Sequence, residues 1–111
     1  MASKKGENVE ELGLPELTPE QIEELCSVAE EAARVYILSK VPFKLVETLN
    51  ITADVEIEEE EKTSTLTVEV ELTLSPLMRD FDVQKLADDA VKEAFASAEK
   101  YLRELKCRLQ K

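Results

Sequence analysis

Two stretches in which apolar and polar residues alternate, joined by the polar turn Glu60-Glu61-Lys62-Thr63-Ser64, constrain this chain more than any other feature. Leu66, Val68, Val70, Leu72 and Leu74 alternate with Thr65, Thr67, Glu69, Glu71 and Thr73. Successive side chains on a strand point to opposite faces, so this spacing predicts a strand with one apolar and one polar face. Before the turn, Phe43, Leu45, Leu49, Ile51, Ala53, Val55 and Ile57 hold odd positions with Glu47 as the interruption, and the clearest strand runs over about 50–59. Together they form an antiparallel hairpin whose single apolar face must be covered from one side.

The flanking segments supply that cover. Thr18-Pro19-Glu20-Gln21 combines an N-cap hydroxyl, a proline at the first helical position and a glutamine three residues after the cap. Ile22, Leu25, Cys26, Ala29, Ala32, Ala33, Tyr36 and Ile37 follow at helical spacing, and Pro42 closes the run, giving a helix over about 19–40. After Ser75-Pro76, Asp80 or Asp82 can cap a last helix whose apolar face runs from Val83 and Leu86 to Leu105 and Leu109. Residues 1–16 read as a disordered or flexible tail, because they are mostly polar and broken by Gly6, Gly13 and Pro15. Residues 17–111 then form a single α-β-β-α domain, an α+β two-layer sandwich with the hairpin covered on one face by two helices.

Lengths suit this arrangement, but widths do not. Two strands about 4.8 Å apart make a ribbon roughly 10 Å wide, while two helices packed about 9 Å apart span nearly twice that. A lone hairpin is also a marginal sheet with two open edges. The sheet is therefore expected to be completed by dimer-type pairing with another copy or another protein, or alternatively by 43–49 bending away as a third strand.

Charge narrows the function. Among 111 residues there are 25 acids and 14 bases, a formal net charge of −11, and no basic stripe of the kind that direct nucleic-acid binding or an anionic membrane surface requires. The absence of histidine and tryptophan and the presence of only 2 glycines remove His-based triads, His metal sites and Gly-rich phosphate loops. No window approaches the roughly 20 apolar residues that span a bilayer, and Met1–Gly6 carries no apolar signal core, so a cytoplasmic protein is expected. Glu and Lys are abundant while Gln and Asn are scarce, a balance that recurs in hyperthermophile proteins.

Four constellations stand out. Asp54, Glu56, Glu58, Glu69 and Glu71 share the outer sheet face with no base opposite them, which fits either a solvated face or a docking surface for a basic partner. The run Glu56, Glu58, Glu59, Glu60, Glu61 lacks the Gly-pivoted spacing of a calcium loop and its alternation splits the carboxylates between faces, so neither a metal nor a cofactor is expected. Those carboxylates also lack an apolar pocket or partner nucleophile, and no catalytic residue is assigned. Cys26 and Cys107 fall at the same end of antiparallel helices and are expected as small buried hydrophobes rather than a disulfide. Lys100, Arg103, Lys106, Arg108 and Lys111 make the end of the last helix basic, as its dipole favours. Phe43, Leu77, Met78 and Phe81 flank the open end of the hairpin, as core caps or, if exposed, as partner-binding residues.

The Thr18-Pro-Glu-Gln helix, the Asn50-Ile-Thr-Ala-Asp-Val-Glu-Ile strand, the Leu66-Thr-Val-Glu-Val-Glu-Leu strand and the long Ala-rich helix make residues 17–109 resemble a small archaeal family of unknown function, often encoded beside the prefoldin β subunit. The same path also resembles the small dimerisation subunit of the KEOPS complex, which makes the threonylcarbamoyl modification on tRNA adenosine. That likeness implies a non-catalytic paralogue that pairs strand to strand and takes the place of a second copy. The expectation is thus a non-enzymatic assembly or accessory subunit with a protein partner, as a homo- or heterodimer. The alternatives are a prefoldin-associated folding accessory and a small-molecule-binding homodimer.

Overall fold

The computed structural model of the chain describes residues 4–78 and 80–109, with side chains through residue 105. Its elements run β1 (Lys4–Leu14), α1 (Pro19–Lys40), a single 3₁₀ turn (Phe43–Leu45), β2 (Val46–Glu58), β3 (Thr63–Leu74) and α2 (Val83–Leu109). The sheet is antiparallel in the order β1-β3-β2, and both helices lie on one face, so the architecture is an α+β two-layer sandwich.

The helices begin where their capping chemistry requires. The Thr18 hydroxyl accepts from the Gln21 N–H at 3.2 Å while the Gln21 side chain accepts from the Thr18 N–H at 2.9 Å, closing both halves of a capping box. The Asp82 carboxylate, not Asp80, caps α2 by accepting from the Lys85 N–H at 3.0 Å. The turn between β2 and β3 closes with Lys62 in the left-handed region at φ 56°, a conformation short hairpin loops require at one position.

The core lies between the layers. From β3, Leu66, Val68, Val70, Leu72 and Leu74 are all fully buried against Leu25, Ala29, Ala33 and Ile37 of α1 and the alanine-rich face Ala87, Ala90, Ala94 and Ala98 of α2. Burying a Leu or Val side chain contributes about 1.5–3 kcal/mol, so β3 carries more of the fold than any other strand. Small residues on α2 let that helix settle close to the sheet.

Residues 1–16 were expected as a tail, and here the structure corrects the sequence reading. Lys4–Leu14 form a full strand, paired with β3 from Lys4↔Leu74 to Leu14↔Ser64. The third strand that the helix widths demanded is therefore this one, supplied from within the chain. Residues 43–49 do not form it: they contain the 3₁₀ turn and then the start of β2, whose register shifts between Val46 and Thr48. The β1 pattern hides because its inward row is Lys4, Gly6, Asn8, Glu10, Leu12 and Leu14, opposite Leu74, Leu72, Val70, Val68, Leu66 and Ser64. A strand with a polar inward row gives no alternation signal. Gly6 is what admits it: a Cβ there would lie 2.6 Å from the Val83 carbonyl oxygen, so the first turn of α2 rests directly on β1 backbone.

Candidate partner-binding surface

The outer sheet face is assembled from three strands in register. Across it run the rows Glu7–Glu71–Asn50, Val9–Glu69–Thr52 and Glu11–Thr67–Asp54, with Glu56 and Glu58 continuing β2 toward the hairpin turn. Asp54, Glu56, Glu58, Glu69 and Glu71 therefore share one surface, and β1 adds Glu7 and Glu11, which were assigned to the tail and so were missed. The regular spacing of Glu7, Val9 and Glu11 was the available signal. One cation joins this face from β1: Lys5, 3.8 Å from the Glu7 carboxylate. At the centre, Val9 is 53% exposed, an apolar side chain among carboxylates.

The apolar cluster at the open end of the hairpin divides. Leu77 and Phe43 are each 77% exposed, whereas Met78 and Phe81 are half-buried against the core. A hydrogen bond from the Ser75 N–H to the Leu45 carbonyl at 2.9 Å ties together the segments that carry the exposed pair. On α1, Val35 and Leu38 are also exposed, beside the Arg34–Glu30 ion pair at 2.5 Å.

The two sheet edges are built differently. Along β1, the Gln84 amide lies against the strand like a substitute strand residue: its Nε2 donates to the Glu7 carbonyl at 2.8 Å, and its Oε1 accepts the Glu7 N–H at 3.5 Å. Asp88 accepts from the same Nε2 at 2.9 Å and steadies it, and the Lys4 ammonium donates to the Phe81 carbonyl at 3.1 Å. Helix α2 thus covers this edge at Glu7. Strand β2 is the opposite edge, and among the described residues no strand pairs with its outer side.

Helix α1 lies over β2 and carries Cys26, a free and half-buried thiol. Burial pushes its pKa up, and the carboxylates of Asp54 and Glu30 push it further. The side chain of Cys107 lies outside the described residues, and the expectation about that pair lies there with it, as do Lys106, Arg108 and Lys111 of the basic helix end. Between the helices, the Tyr36 hydroxyl donates to Asp89 at 3.4 Å and the Tyr101 hydroxyl donates to Glu24. Among the described residues, no group of His, Cys, Asp and Glu is placed to hold a metal ion, and no helix is long and apolar enough to cross a membrane.

These features define a small α+β sandwich whose conspicuous surfaces are an acidic sheet face and one open strand edge. The chain belongs to a family described as protein of unknown function (DUF3194), whose sequence profile matches residues 14–101. An uncharacterised protein of Thermococcus kodakarensis is 34% identical over 101 residues, covering 91% of this chain and 90% of the relative. A crystal structure from Thermococcus onnurineus superposes with a TM-score of 0.81 at 33% identity, covering 95% of this chain and 98% of that one. The solution structure of a hypothetical protein from Methanothermobacter thermautotrophicus gives a TM-score of 0.65 at 28% identity, over 82% and 94% of the two chains. The relatives are archaeal, and the two solved structures share the fold.

Proposed function

We propose that this protein is a non-catalytic assembly subunit, pairing with another protein through the exposed edge of the hairpin and the adjoining helix faces. The observation that carries this reading is β2: 13 residues of extended edge strand without a strand partner on its outer side, half-buried on its inner face at Leu49, Ile51, Ala53 and Val55. An extended edge whose inner face continues a hydrophobic core is a template for strand addition. The carboxylates are spread along solvated strand faces and do not converge, which favours a surface role over acid/base chemistry.

The partner we propose is the small dimerisation subunit of the KEOPS complex, whose chain path this protein resembles. The test is co-expression of the two proteins, with native mass spectrometry of the purified product. A stoichiometric heteromer supports the reading. Two separate species overturn it, and recovery of prefoldin subunits from a cell extract in their place moves the protein to a folding accessory role.

A further inference from the structure

We infer that β2 is the strand-accepting edge of this protein, and that it selects a cationic strand from a different protein over a second copy of itself. The inference rests on the assembly reading above and assigns that reading its edge and the chemistry of its partner.

The first support is the contrast between edges. Natural sheets protect their edges with lysines, prolines, bulges or a covering element. Edge β1 is covered at Glu7, where the Gln84 amide occupies the backbone groups that a new strand would need. Edge β2, Val46–Glu58, contains no lysine, arginine, proline or glycine, and its register irregularity is confined to the Val46/Thr48 end. From Thr48 to Glu58 it pairs regularly with β3, so its outer side presents a regular extended backbone.

The second support is charge. Asp54, Glu56 and Glu58 occupy successive outward positions on β2, and Glu11, Glu69 and Glu71 lie across the same face. Opposite charges on directly opposed strand residues stabilise a pair and like charges destabilise it. A second copy brings no cation: in no register of β2 against itself does a base meet a carboxylate, because the strand holds none. Two chains of net charge −11 also repel before contact. A strand with Lys or Arg opposite Asp54, Glu56 and Glu58, and apolar residues on its alternate positions, satisfies both faces. It gains cross-strand pairs outside and extends the row of Ile51, Ala53 and Val55 inside. The carboxylates thereby guard the edge against self-association and mark it for one kind of strand.

Two synthetic strands of equal length test this, one alternating Lys with Val and one alternating Glu with Val, each titrated into the isotope-labelled full chain. The expected result is shifted backbone amides along Thr48–Glu58 with β1 unmoved, and about tenfold tighter binding of the Lys strand at low salt. The triple variant Asp54→Lys, Glu56→Lys, Glu58→Lys is expected to reverse the preference, which a fold defect would not do. Equal affinities, shifts centred on β1, no shift at β2, or a dimer of the chain itself at the same concentration overturn the inference. In Gln84→Ala the β1 amides should begin to respond to the strand; if they stay silent, the clasp is not what closes that edge. A KEOPS heteromer that leaves the β2 amides unmoved sinks this inference and spares the assembly reading. A Lys strand bound at β2 without any KEOPS heteromer does the reverse.

Discussion

Strands β1 and β2 flank the same central strand, yet they are held by different means. Four central rows of the inner face begin on β1, cross β3 and end on β2: Gly6–Leu72–Leu49, Asn8–Val70–Ile51, Glu10–Val68–Ala53 and Leu12–Leu66–Val55. On the β2 side every one of these positions is apolar and half-buried under α1. On the β1 side three of the four are glycine, asparagine or glutamate, and α2 compensates by close approach, with Val83 against Gly6 and Gln84 bonded to Glu7. Side-chain burial holds one flank, and backbone contact with a helix holds the other. That contrast also sets the edges: the strand secured by a helix is covered by it at Glu7, while the strand secured by its own side chains remains open.

The central strand serves both flanks, so its loss should be the most costly. Leu72 is fully buried between Gly6 and Leu49, and Leu72→Ala is expected to lower stability by about 2–5 kcal/mol in urea unfolding. Its signature is symmetric: amide exchange should accelerate in β1 and β2 alike. Acceleration confined to one flank would show that the two are not coupled through β3.

A smaller and one-sided effect is expected at Gly6. Its Cβ position lies 2.6 Å from the Val83 carbonyl and 3.2 Å from the Gln84 nitrogen, both backbone atoms that cannot rotate away. Gly6→Ala should therefore cost about 1–3 kcal/mol through overpacking. Amide protection should fall in β1 and the first turn of α2, with the hairpin and α1 unchanged. Uniform loss of protection would mean that β1 is integral to the core and not an appended strand.

The same contrast explains what could be read from the chain itself. The hairpin and both helices were legible because each states its structure redundantly: period-two alternation in β3, and in α1 a capping box at one end and Pro42 at the other. Helix α1 was expected over 19–40 and spans Pro19–Lys40. The acidic outer face was legible for the same reason, since alternation assigns Asp54, Glu56, Glu58, Glu69 and Glu71 their side once the hairpin is placed. Strand β1 was not, because much of what holds it lies outside its own sequence, in the first turn of α2 some 77 positions further on. Glu7, Glu11 and the Gln84 clasp were lost with it. The split between Leu77, exposed, and Met78 and Phe81, packed on the core, likewise depends on where the post-strand turn lands and leaves no periodic trace.

The smallest effect tests whether the charge on the β2 flank reaches the interior. Burial first, then Asp54 and Glu30, raise the pKa of Cys26 above that of an ordinary thiol. A raised pKa means that the fold prefers the neutral thiol. The contribution to stability is complete below the unfolded thiol's pKa and is lost as pH rises through the folded value, so it fades only on the alkaline side. Alkylation of Cys26, read peptide by peptide by mass spectrometry so that Cys107 is counted separately, should lag that of the unfolded chain at mildly alkaline pH, since the thiolate is the reactive form. Asp54→Asn should move the rate part of the way back and leave the burial contribution in place. An unchanged rate would separate Asp54 from the thiol and confine its influence to the sheet edge. A cationic strand docked on β2 neutralises the same carboxylate, so a rise in Cys26 reactivity on adding that strand would report occupancy of the open edge from within the protein.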